Sequence, residues 1–158
     1  MAEPSAPSQV VVFRLGEEEY GIAIESVEGI IRRETPTPVP YAPPSMEGVI
    51  NLRGRIVPVV DLARRFDMPP REPTGHSRIV IAQLKDQLVG LAVDAATEVL
   101  TLPEGAVEPA PDVVGSSAMS DVISGVARVE DRLVVLLRVE NIVPSVDDLV
   151  GESEEGDK

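Results

Sequence analysis

The sequence predicts an all-β protein assembled from two similar small units. Three observations carry that expectation. Short runs rich in Val, Ile and Leu recur along the chain, separated by turns of Gly, Asp, Glu and Lys. Prolines crowd two connections, Thr35–Ser45 and Thr101–Ser120, where no helix can run. The third observation is a repeat. A shift of 69 residues lays Leu15 on Leu84, Tyr20 on Val89, Gly21 on Gly90, Ile22 on Leu91, Ile24 on Val93 and Glu25 on Asp94. A shift of 77 lays Gly48-Val49 on Gly125-Val126, Leu52 on Val129, Arg55 on Arg132 and Ile56 on Leu133. Shared order, turn placement and glycines in both halves imply two units of four or five strands each. Short strands at this spacing favour small barrels over an open sheet.

The elements follow in order. Residues 1–8 are small, polar and Pro-rich and read as a disordered tail. Val10–Leu15 alternates as a strand, Gly16–Glu19 turns, and Tyr20–Ile24 returns. Ile24, Val27, Ile30 and Ile31 then recur at helical spacing, which predicts a helical turn, although Gly29 weakens it by about 1 kcal/mol relative to Ala. Gly48–Leu62 (GVINLRGRIVPVVDL) is a hairpin turning at Arg53-Gly54-Arg55, where Gly54 supplies a positive φ. Pro58 has no N–H for a ladder, so it must stand where none is needed. Asp61 ends this hairpin and caps a short helix, Leu62–Phe66, with Arg64 and Arg65 exposed. After a Pro-containing loop, Arg78–Leu84 and Leu88–Val93 form a hairpin through Lys85-Asp86-Gln87. Asp94–Leu100 fits helix or strand. Val122–Val129 and Leu133–Val139 pair through Glu130-Asp131-Arg132, and Glu140–Val143 begins a closing helical turn. Residues 151–158 form an acidic tail.

Composition narrows the function. At 158 residues the chain makes about one domain. Aromatics are 3%, so the core is aliphatic, and the absence of Cys removes disulfides and thiolate chemistry. No basic and apolar leader opens the chain and no apolar run reaches the ~20 residues of a membrane span, so a cytoplasmic protein without membrane insertion is expected. The net charge of −13 is uneven. Residues 1–78 hold nine Arg against eleven Asp and Glu, and residues 79–158 five Lys and Arg against sixteen. Such a chain is a poor nucleic-acid binder. Arg32, Arg33, Arg53, Arg55, Arg64 and Arg65 read as solvated charge, with an acidic protein surface as the other reading.

GVINLRGRIVPVVDL, preceded by LGEEEYGIAIESVEGI and followed by GLAVDAATEVL, resembles the CheW-type chemotaxis coupling proteins from about Val10 to Val143. The resemblance implies a domain over 9–150 made of two five-stranded β-barrel subdomains, repeat units about 10–66 and 79–143, with short helical turns and a further apolar core between the barrels. It implies a non-catalytic adaptor with no cofactor and no metal. Its partners would be the cytoplasmic tip of methyl-accepting chemoreceptors and the regulatory domain of a chemotaxis histidine kinase. Such a protein works in the cytoplasm, recruited to membrane-associated receptor arrays. In the family the receptor tip lies in an apolar groove between the barrels, matched here by Val11, Ile24, Val27 and Ile30. Asn51, Arg53 and Gly54 match the signature turn, as structural or partner contacts, and Ile56 matches a kinase contact. The usual V-x-E-I pattern reads Val27-Glu28-Gly29-Ile30, so the acidic residue is absent.

Physical reading leaves each residue a plainer role. Val27 and Ile30 recur at i and i+3 and either face a partner or belong to the core. Arg53 is either surface decoration or a planar fork that bonds carbonyls and fixes the turn. A scaffold of a chemosensory pathway with another output, or an unrelated peptide-binding barrel, would keep the fold and change the partners. An enzyme is the rival class. His76, the one histidine, lies in a loop and reads as exposed and inert. Asp61 and Asp94 read as strand-end caps of helical turns rather than an acid–base pair.

Overall fold

The structure, a computed structural model, describes residues 7–69, 72–109 and 121–142. The expected tails lie outside these residues apart from Pro7 and Ser8, and the Ser8 carbonyl already accepts the Leu102 N–H at 2.8 Å.

Eleven strands are described: β1 (Gln9–Leu15), β2 (Glu18–Ala23), β3 (Val27–Arg32), β4 (Met46–Leu52), β5 (Arg55–Asp61), β6 (Arg78–Leu84), β7 (Gln87–Val93), β8 (Ala95–Thr101), β9 (Val107–Glu108), β10 (Ile123–Val129) and β11 (Arg132–Leu137). A 3-10 turn, Ile24–Ser26, precedes β3, and two one-turn helices, α1 (Leu62–Arg65) and α2 (Val139–Ile142), follow β5 and β11. The expected helical turn at residues 24–31 is therefore helical only over its first three residues. Val27–Arg32 extends because it pairs with β6. The ambiguous stretch after Asp94 is a strand because it pairs with β1.

The strands form two sheets, ordered β8-β1-β2-β11-β10-β9 and β3-β6-β7-β5-β4. The mostly-β, two-part architecture is as expected, but the sheets are open rather than closed five-stranded barrels. The reason lies at their edges. The Pro-rich connections occupy the free edges of β4 and β10. Thr37 bridges to Val49, and β9 pairs Glu108 with Val126. Val49 and Val126 are related by the shift of 77.

The repeat is present in three dimensions, but neither half owns a sheet. β1 and β2 join β10 and β11, whereas β6 and β7 join β3, β4 and β5. Applying the two sequence shifts converts the order of one sheet into that of the other. The register follows. Gly21 pairs with Leu136 and Gly90 with Val59, in the two parallel contacts that stitch the halves together. The bulges repeat too, at Glu28 and Thr97 and at Glu47 and Ser124.

The inner strands are buried on both faces, which explains their continuous apolar runs. On β1, Val10 and Val12 face an inner cluster with Leu102, Ala127, Val134 and Leu136. Val11, Phe13 and Leu15 face the core between the sheets, opposite Val80, Leu84, Val89 and Leu91. In the second sheet Ile79 and Ile81 join Ile50, Val57, Val59 and Leu88 in its own cluster. The third apolar core implied by the family resemblance is thus the largest one here.

A Cβ on Gly48, which has φ 148°, would stand 2.2 Å from the Thr37 carbonyl oxygen, a backbone atom that cannot step aside. Gly54, at φ 87°, has nothing within 4 Å. Gly48→Ala is expected to cost at least about 3 kcal/mol by denaturant unfolding, from overpacking against a fixed atom. Gly54→Ala should cost only about 1 kcal/mol, from the left-handed conformation alone. Equal losses would show that the edge bridge is not rigid.

Candidate functional site

Five large hydrophobic side chains are exposed among the described residues: Ile30, Tyr41, Ile56, Val99 and Leu133. Four of them form repeat pairs, Ile30 with Val99 by the shift of 69 and Ile56 with Leu133 by the shift of 77. All four lie on the faces that enclose the inter-sheet core. Residues directly opposite in a sheet point to the same side. Ile30 is opposite Val80 and Val99 opposite Val11, and both partners are core residues between the sheets. Ile56 and Leu133 alternate with Val60 and Val135 on that same side. Each of the four is the inter-sheet face running past the cover of the opposing sheet.

Ile30 and Val99 stand on β3 and β8, the edge strands of the two sheets, at 43% and 50% exposure. The 3-10 turn Ile24–Ser26 packs on β1 and β6, the strands that neighbour β8 and β3. Ile24 and Val27 are half-buried against the inter-sheet core. The bulge at Glu28 gives this seam its form. An ordinary strand would send Val27 and Ile30 to opposite faces. The extra residue brings both to the inter-sheet side, opposite Ala82 and Val80. The i, i+3 spacing thus does mark one face, made by a bulged strand and not by a helix. Val11 does not line the surface. It is 3% exposed, because β8 pairs along β1 and makes it an inner strand. Its neighbour Val99 takes the exposed place. Val99 was missed in the sequence, although the shift of 69 from Ile30 points to it.

The signature turn is at the far end of β4 and β5. Leu52 pairs with Arg55, so the loop is Arg53-Gly54 alone. Arg53 has φ 52° and Gly54 φ 87°, the pattern of a type I′ turn. Gly16, Lys85 and Glu130, the first loop residues of the other hairpins, share the positive φ of Arg53. What fixes the turn is Asn51, whose Oδ1 accepts the Gly54 N–H at 2.8 Å. Arg53 is exposed and its guanidinium holds no carbonyl among the described residues, so it does not brace the hairpin. Ile56 follows at 62% exposure.

The other charged candidates have structural duties. Arg33 forms a two-pronged ion pair with Glu47 at 2.7 and 2.8 Å, and that bond raises the guanidinium pKa above its ordinary value. Arg65 is not free surface charge. Its Nε donates to the Ile142 carbonyl at 2.6 Å, closing the end of α2. Asp61 caps α1 through Arg64 N–H, as expected. Asp94 caps no helix, since β8 follows it. Its Oδ2 accepts the Gly16 N–H at 2.7 Å and ties the first hairpin turn to the start of β8. His76 is exposed in the turn before β6. No group of His, Asp or Glu suited to holding a metal ion occurs among the described residues.

An all-β body whose own core face continues outward as exposed apolar residues defines a protein-interaction scaffold. The sequence profile of the CheW-like domain matches residues 9–147. The chain is 36% identical over 137 residues to the chemotaxis protein CheW of Rhizobium meliloti, covering 87% of this chain and 88% of that protein. It is 37% identical over 137 residues to that of Bacillus subtilis, covering 86% of each. Its fold is similar to the scaffolding protein TtCheW of Thermoanaerobacter tengcongensis, with a TM-score of 0.81, 34% identity, and coverage of 92% of this chain and 98% of that one. The chain belongs to the CheW-like family and is a CheW-type coupling protein of chemotaxis signalling.

Asn51→Ala should lower the stability of the hairpin by about 1 kcal/mol, the value of one lost side-chain hydrogen bond. Arg53→Lys should leave the unfolding midpoint unchanged. A destabilised Arg53→Lys variant would mean that the guanidinium bonds the turn after all.

Proposed function

We propose that this chain is a non-catalytic adaptor that joins chemoreceptors to a chemotaxis histidine kinase, held in the cytoplasm at receptor arrays on the membrane. The observation that carries the reading is the apolar seam of Ile24, Val27, Ile30 and Val99, with Val11 buried beneath it. A seam between two sheets accepts an amphipathic helix, the form of a receptor's cytoplasmic tip, by its apolar stripe. A second contact, at the opposite end of β5, comprises Arg53, Gly54 and Ile56 and is assigned to the regulatory domain of the kinase. It offers an exposed apolar side chain next to Arg53 and Arg55, which no carboxylate among the described residues pairs with. The two contacts are separate, so one adaptor holds both partners at once.

Separate surfaces predict separable losses. Ile30→Asp and Val99→Asp should each weaken binding of a receptor-tip fragment by roughly thirtyfold, the cost of a lost hot-spot contact, while leaving the kinase domain bound. Ile56→Asp should do the reverse. All three positions are exposed, so circular dichroism should match the parent. Calorimetric titration of each variant against each partner decides the matter. A variant that loses both partners, or neither, contradicts the assignment.

A further inference from the structure

The two sheets differ at one repeat-related place. In the second sheet the space at the ends of β4, β5 and β7 is filled by the Arg33–Glu47 ion pair, beside Asp61, Ala63 and Ala92. The counterparts of these residues are Leu102, Ser124, Arg138, Glu140 and Ala23. The backbone confirms the match, since Arg33 N–H donates to the Ser77 carbonyl and Leu102 N–H to that of Ser8, both pairs related by the shift of 69. Leu102 cannot pair with anything, and it turns into the inner cluster. Ser124 is too short to replace Glu47. The space left is a cavity of about 460 Å³.

We infer that this cavity is a binding site for a small amphipathic carboxylate. Its volume lies within the roughly 300–1,000 Å³ of ligand pockets. Val10, Val107 and Leu136 offer an apolar wall, and the Ser26 hydroxyl and the Arg138 guanidinium supply polar groups, while the Ser124 hydroxyl donates to the Leu136 carbonyl. Arg138 sets the sign. Its Nη1 donates to the Asp121 and Ile123 carbonyls, which hold the group in place without cancelling its charge. No ion pair joins it to Glu140, which is exposed at the rim. In the other sheet the equivalent position is Asp61, beside a built-in cation. Here the cation belongs to the wall, so the missing partner is an anion with an apolar body. The site shares the 3-10 turn with the seam, through Ser26, but opens on the side of Ser124 and Arg138, and it does not depend on the identity of the protein partners.

The test is a titration of the full chain with sodium octanoate, followed by amide chemical shifts, with 1-octanol as the uncharged match. Saturable shifts centred on Ser26, Ser124 and Arg138 are expected, with octanol binding more weakly. Arg138→Gln should weaken octanoate by more than tenfold and leave octanol unchanged. Ser124→Phe, which fills the cavity, should abolish both, and Ala23→Leu serves the same purpose if that variant does not fold. The inference is overturned by an absence of saturable shifts at millimolar octanoate, by binding that ignores Arg138→Gln, or by shifts that map instead to Ile30 and Val99.

Discussion

The two parallel strand contacts, β2 with β11 and β5 with β7, are what the rest of the structure depends on. Each joins a strand of one repeat to a strand of the other. Each is closed by a glycine at the same register. A Cβ on Gly90 would stand 2.8 Å from Ile79 Cγ2, and one on Gly21 3.2 Å from Val10 Cγ2. The antiparallel pairs β1 with β8 and β3 with β6 also join the halves, and at the two parallel contacts the glycines let neighbouring side chains close in. Because both sheets are made this way, neither repeat can fold alone with a complete sheet, and the inter-sheet core forms only when both are present. A duplicated unit has become one cooperative body through the strands its halves exchange.

Shared backbone has not meant shared surface. Arg132 ties β11 to Glu19 on β2 and Glu98 on β8, an ion cluster at the hairpin end of the first sheet. The counterparts in the second sheet are Arg55, Leu88 and Gly29. Leu88 enters the inner cluster and Gly29 has nothing near it, so Arg55 has no matching acids and stays exposed. The arginine of one hairpin end is therefore outweighed by two carboxylates, and that of the other keeps its positive charge. Surface ion pairs of this kind contribute little stability. Their effect is to distinguish in charge two ends that the repeat would otherwise make alike.

How much of this was legible in the sequence depended on range. The repeat offsets, the four hairpins, the Asp61 cap and the short helices all follow from local pattern and turn chemistry. The interleaving of the halves leaves no local mark. Nothing near Tyr20 or Val60 announces that each will pair in parallel with a strand from the other repeat. The openness of the sheets was hidden in the Pro-rich connections, which read as loops yet cover strand edges at Thr37 and Glu108. At the site, Ile30 was legible and Val99 was available through the repeat. Val11 misled because its burial depends on β8, a stretch whose periodicity fitted helix as well as strand. Arg53 drew notice as the charged member of the turn, whereas its neighbour Asn51 holds the turn.

The bulge at Glu28 links these points. A residue inserted into an edge strand bends it and disrupts the row of free backbone groups that would otherwise recruit another strand. The same insertion swings Ile30 onto the face of Val27, so the edge offers side chains where a plain strand would offer backbone. Thr97 repeats the device on β8, and its hydroxyl bonds the Val12 carbonyl across the irregularity. Edges so blunted resist indiscriminate sheet pairing while keeping two apolar residues in view. Specific docking of a helix and protection from aggregation are usually opposed demands on an exposed apolar edge. On the proposed reading one inserted residue per edge serves both, and the repeat supplies it twice.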